Sequence, residues 1–103
     1  MKIIKKLSEL IDEELDDAEK YVKCALNHKD TDRGLADVFY TLSVEEMRHV
    51  NMLHAEIVKK IEQHRREHGD PPVNMQAIYD YLHEKQIDKA ADIKTEQAMF
   101  KDT

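Results

Sequence analysis

The sequence predicts an all-α fold in one domain: a long antiparallel helical hairpin over residues 1–68, a turn at 69–73 and a C-terminal helical segment over 74–103. Three observations predict it. Apolar residues recur at alternating steps of three and four through two long stretches, a spacing that keeps them on one helix face. The composition has little turn material, with two Gly and two Pro among 103 residues. Turn-forming residues gather at His28-Lys29-Asp30-Thr31-Asp32 and at Gly69-Asp70-Pro71-Pro72. A chain of this length makes one small domain.

The first helix is expected from about Ile3 to Leu26. Its inward row reads Leu7, Ile11, Glu14, Ala18, Tyr21, Ala25, with one glutamate among apolar and small residues. Ile4, Leu10, Val22 and Leu26 widen that face, while Glu9, Asp12, Asp16, Glu19, Lys20 and Lys23 read as solvated. Thr31 or Asp32 would cap the second helix. That helix is expected from about Arg33 to His68, where Gly69 and the two prolines stop it. Its inward row reads Leu35, Phe39, Leu42, Glu46, His49, Leu53, Ile57, so two ionisable residues stand where packing predicts leucines. Buried alone they would cost several kcal/mol each. The third element starts near Asn74, with Met75, Ile78, Leu82, Ile87, Ala90 and Ala91 as its apolar positions. The jump from 82 to 87 breaks the period. It predicts a kink, a second short helix or a change of packing partner, with fraying from Phe100 to Thr103.

Charge and composition narrow the function. The net charge is −6 and the basic residues are dispersed among acids, so no nucleic-acid partner is expected. One cysteine, Cys24, allows neither an internal disulfide nor a four-cysteine metal site. No run of 18 apolar residues exists, so no membrane span is expected. The opening Met1–Lys6 has too short an apolar core for a signal peptide, and the cytoplasm is the expected compartment.

Folding the two helices about the turn near Asp30 brings three of these residues together. Glu14 lies 16 residues before Asp30 and Glu46 lies 16 after it. Antiparallel helices rise equally, so both glutamates stand roughly 24 Å from the turn. His49 follows one turn later. A metal ion would make such a Glu, Glu, His set worth keeping. Oxygen-rich ligation with one imidazole suits iron or manganese, with zinc as a possible substitute.

At these residues the chain resembles the ferritin-like superfamily, and its rubrerythrin-type branch in particular. The pattern Glu14-x6-Tyr21 followed by Glu46-x-x-His49 carries the resemblance, which covers roughly residues 7–60. Four-helix dimetal sites take one Glu from each of two helices and a Glu-x-x-His from each of the other two. This chain carries that set once. The resemblance therefore implies a homodimer or higher homo-oligomer, paired into a ferritin-like four-helix bundle. Its two chains would share a diiron site of four Glu and two His, as in the encapsulated ferritins, although neither end shows an encapsulin-targeting segment. Glu46 and its mate would bridge the metals, Glu14 would be terminal, and His49 would bind through one ring nitrogen. Tyr21 is a candidate hydrogen-bond donor to a ligand carboxylate. Glu13, Asp17 and Glu45 flank the site and would draw in cations.

Other polar pairs read as ordinary surface. His64 and His68 have the spacing of a zinc pair but sit at a charged helix end, Asp80 and His83 read as a wet face, and His54 reads as a boundary residue. Without a cysteine cluster of the rubredoxin type, a self-contained electron-transfer peroxidase is not expected. Two functional classes follow. One is a diiron protein that oxidises Fe(II) or reduces oxygen or peroxide. The other is a non-catalytic helical assembly module with a structural or degenerate site.

Overall fold

Three helices follow one another in the computed structural model, which describes residues 2–102. They are α1 (Lys2–His28), α2 (Arg33–His68) and α3 (Val73–Lys101). They lie side by side in an up-down-up bundle measuring 55 × 18 × 18 Å. The turns are chemically specified. Thr31 and Asp32 donate their backbone N–H groups to the His28 carbonyl, and the Asp32 carboxylate accepts from the Leu35 N–H at 3.1 Å as the α2 N-cap. Gly69 ends α2 at φ 77°, donating to the Arg65 carbonyl at 2.9 Å. Pro71 and Pro72 then set the reversal into α3. Among the described residues no helix is long and apolar enough to cross a membrane.

The buried face of α1 is the expected one with Leu15 added, whereas that of α2 differs from the expected row. On α1 the buried positions are Ile4, Ile11, Leu15, Ala18, Val22 and Ala25, and on α2 they are Ala36, Ser43, Met47 and Val50. Leu35 and Leu42 are exposed, and Phe39, Glu46, Leu53 and Ile57 are half-buried. The predicted α2 row therefore borders the buried face, with Phe39, Leu53 and Ile57 packed against the core and Leu35 and Leu42 left outside it. The cause is α3, which packs against one side of the hairpin and shifts the buried face toward the side of the α1–α2 seam that it covers. Ile11, Leu15, Ala18, Met47, Val50 and Ile93 form the larger core cluster. Ala25, Ala36 and Phe100 form a smaller one near the first turn.

The inner face of α3 also departs from expectation. Met75, Ile78, Leu82 and Ile87 point outward and are exposed. The row that meets the hairpin is Gln76, Tyr79, His83, Gln86, Ala90, Ile93, Gln97, Phe100, stepped by three and four along one continuous helix. There is no second short helix. Packing partners do change along the length, from Arg65 of α2, through Ser8, Asp12 and Asp16 of α1, to Ser43 of α2. Glutamine can occupy an inward row because its hydrogen bonds are met. Gln86 Nε2 lies 3.0 Å from Ser8 Oγ and 3.0 Å from Asp12 Oδ1. Gln97 donates to Ser43 Oγ at 2.9 Å, and Ser43 in turn donates to the Ala18 carbonyl at 2.7 Å. Lys89 binds Asp16, and that hydrogen bond holds its ammonium above the usual lysine range.

Phe100 does not fray. It is 2 % exposed and stacks on Tyr40 at 5.1 Å between ring centroids. The Arg33 guanidinium lies 4.6 Å from the Phe100 ring centre. The expectation of fraying rested on chain position, which burial overrides. Its last residue, Thr103, lies outside the described residues.

Candidate metal centre

One hydrogen bond sets the height at which the hairpin's polar residues meet. Fully buried Ser43 donates to Ala18 across the α1–α2 seam. Glu14 is one turn before Ala18 and Glu46 is one turn after Ser43. Since the helices run antiparallel, both carboxylates arrive at the same level, as the spacing predicts. His49 adds its ring one turn further along α2.

His49 Nδ1 lies 3.4 Å from Glu14 Oε2 and 3.6 Å from Glu46 Oε2. One ligand atom from each of the three lies within 4.8 Å of the others. Donors about 2.1 Å from one metal stand no more than about 4.2 Å apart, so small side-chain rotations bring this set into range. Carboxylate oxygens with one imidazole nitrogen are a donor set suited to iron or manganese. Among the described residues no other group of three His, Cys, Asp or Glu residues comes this close.

The set is not buried as a row inside a core would be. Side-chain exposures are 28 % for Glu14, 18 % for Glu46 and 46 % for His49. The site lies on the hairpin flank away from the buried face, with Ile3, Leu7 and Leu10 on the α1 row and Leu35, Leu42 and Leu53 on the α2 row beside it. Ile3, Leu35 and Leu42 are exposed. Among the described residues neither Glu14 nor Glu46 has a Lys or Arg partner, and their only ion-pair contact is His49. Two carboxylates at one height without a fixed cation repel, and that repulsion favours a bound cation.

The flanking residues divide. Glu13 and Asp17 are exposed on α1. Glu45 is half-buried, with Arg48 at 3.8 Å. Glu13 and Glu45 adjoin Glu14 and Glu46 in the chain, and Asp17 follows Glu14 by three residues. Tyr21 does not join the ligands. It stacks on Phe39 at 6.4 Å between centroids, and His28 lies 5.9 Å from that same ring. Among the described residues the Tyr21 hydroxyl makes no hydrogen bond to either glutamate. Two helical turns separate it from Glu14, roughly 10 Å along the axis, which places it beyond reach within one chain. Cys24 is a half-buried free thiol whose carbonyl accepts from His28 Nδ1 at 2.9 Å.

Sequence reasoning did not foresee one polar contact. His54 of α2 and His83 of α3 stack with centroids 4.9 Å apart and planes 11° from parallel. The signal available for it was the row from Gln76 to Phe100, which places the exposed His83 on the side of α3 that borders α2. Comparison with protein-family models, with curated proteins and with solved structures finds no match for this chain.

Proposed function

We propose that Glu14, Glu46 and His49 are half of a ferritin-like dimetal centre, completed by the same three residues of a second copy of this chain. The observation that supports it is the convergence of their ligand atoms within 4.8 Å on a flank of the hairpin that α3 leaves uncovered. Two such flanks brought together antiparallel enclose both triads between four helices and cover the exposed Leu35, Leu42 and Ile3. Two divalent ions then balance four carboxylates, so metal binding is linked to dimerisation.

The residues divide the work. Glu46, the least exposed of the three, would hold both ions. Glu14 holds one side, and His49 presents Nδ1, the nitrogen that already faces both carboxylates. Glu13, Asp17 and Glu45 concentrate cations at the surface beside the site. Bound iron would supply one-electron chemistry between Fe(II) and Fe(III) with oxygen or peroxide as acceptor. Fe(II) oxidation is thus the activity this reading favours.

A second reading draws on a different observation. Val73, Met75, Ile78, Tyr81 and Leu82 expose apolar surface on α3, as an assembly module with a structural metal site would. Anaerobic Fe(II) titration of the metal-free protein, followed by air, separates the two. The ferroxidase reading predicts saturation near one iron per chain and then oxygen consumption. Binding without oxygen consumption favours the assembly module, and no binding at micromolar iron overturns the dimetal centre itself.

A further inference from the structure

The helix α3 is held unevenly. Its buried residues, Ile93 and Phe100, both lie in its C-terminal half. Over residues 73–86 the larger apolar side chains Met75, Ile78, Tyr81 and Leu82 face solvent. Apart from Tyr79 and the edge of Met75, what meets the hairpin there is polar: Gln76 with Arg65 at 3.3 Å, Gln86 with Ser8 and Asp12, and the His54–His83 stack. A pocket lined by Ile4, Ile61, His64, Met75 and Tyr79 remains where the start of α3 meets the other helices. The reversal before it turns on Gly69, at φ 77°, and two prolines.

We propose that the His54–His83 stack is a proton-operated latch, which holds residues 73–86 of α3 on the hairpin when both rings are neutral and releases them as the pH falls. Face-to-face imidazoles attract through ring packing only while at most one is charged. A proton on each places two like charges in contact between α2 and α3. Burial, and then the facing His83, hold His54 below its ordinary value of 6.5. The open state takes up protons that the docked state resists. Docking is therefore complete above about pH 6.5 and weakens as the pH falls below it.

The charged groups around the stack are few. One turn either way from His54 stand Val50, Asn51, Ile57 and Val58, none of them charged. Beside His83 is Asp80, which accepts from Gln76 at 2.8 Å. From α1 comes Asp12, bound by Gln86, with Asp16 bound to Lys89 a turn beyond. His64, at the pocket with Met75 and Tyr79, tilts against His68 and is a second imidazole near the start of α3. The variants below separate it.

Hydrogen exchange of the full chain at pH 7.5 and 5.5, corrected for intrinsic rates, tests the latch. Amides of residues 73–86 are expected to lose about tenfold in protection at pH 5.5, while those of 18–25 and 93–101 hold theirs. His83→Phe keeps a ring pair that cannot be doubly charged, and its pH dependence is expected to fall to within about twofold. His83→Gln removes both ring and charge and is expected to leave 73–86 equally open at both pH values. Equal protection of 73–86 at the two pH values in the unmodified chain overturns the latch. So does a tenfold loss that persists in either variant, which would assign the effect to His64 or another group. These readings do not depend on metal binding at the Glu14 flank.

Discussion

Glu46→Ala is expected to abolish stoichiometric iron binding while leaving the metal-free protein as stable as before, or more so. Glu46 is the least exposed of the three proposed ligands and faces His49 Nδ1 at 3.6 Å. In the proposed twofold centre each Glu46 would hold both metals, so one substitution would remove two such groups. Loss of a supporting residue beside a metal costs about 10–100-fold in affinity, and loss of a bridging ligand costs more. The metal-free chain should not suffer, because the carboxylate has no Lys or Arg partner among the described residues and its removal relieves repulsion from Glu14. Iron at a hundred times its dissociation constant stabilises a folded protein by about 2.7 kcal/mol, and in the variant this increment disappears. Thermal melts with and without Fe(II), kept anaerobic, read both effects. Glu46→Gln keeps the shape and separates charge from packing. A variant that melts far lower without metal would mark Glu46 as a structural residue instead.

The second large effect is on stability. Phe100→Ala is expected to cost about 3–5 kcal/mol, the range for removing a buried phenylalanine. Phe100 is 2 % exposed, stacks on Tyr40 and receives the Arg33 guanidinium on its ring. It joins Ala25 of α1 and Ala36 of α2 in the smaller core cluster, so three helices meet on this one ring. A loss of about 3 kcal/mol lowers the melting temperature of a domain this size by roughly 12–24 °C. Circular dichroism on heating measures it. A fall of only a few degrees would show that the end of α3 contributes little and that its docking depends on Ile93 and the glutamines.

These two residues mark what the sequence made legible and what it did not. Glu46 was legible because helical rise and an antiparallel turn place it level with Glu14, and both quantities follow from residue numbers alone. The helix limits were legible for a similar reason. Asp32 and Gly69 terminate helices by local chemistry, independent of what packs nearby. Phe100 was not legible, since position near a chain end suggests fraying and only the packed structure shows the ring under Arg33. The facing of α2 was misjudged through the same gap. With the hairpin alone, Leu35, Leu42 and Glu46 read as the inward row. Once α3 packs on one side, burial moves to Ala36, Ser43, Met47 and Val50. The inner row of α3 was hidden because Gln76, Gln86 and Gln97 occupy positions where periodicity looks for apolar side chains. Their hydrogen bonds to Ser8, Asp12, Ser43 and Arg65 are tertiary facts with no local signature. His83 was read as a wet residue and is exposed, but its stack on His54 is a tertiary contact that the reading missed.

The uncovered flank bearing Glu14, Glu46 and His49 makes the central claim one about two chains and two metals at once. Native mass spectrometry of the protein loaded with Fe(II) under anaerobic conditions counts both. The dimetal account predicts a species of two chains carrying two iron ions, absent from the metal-free sample and from Glu46→Ala. Iron held by single chains, or dimers that form equally with and without the triad and carry no iron, would contradict it.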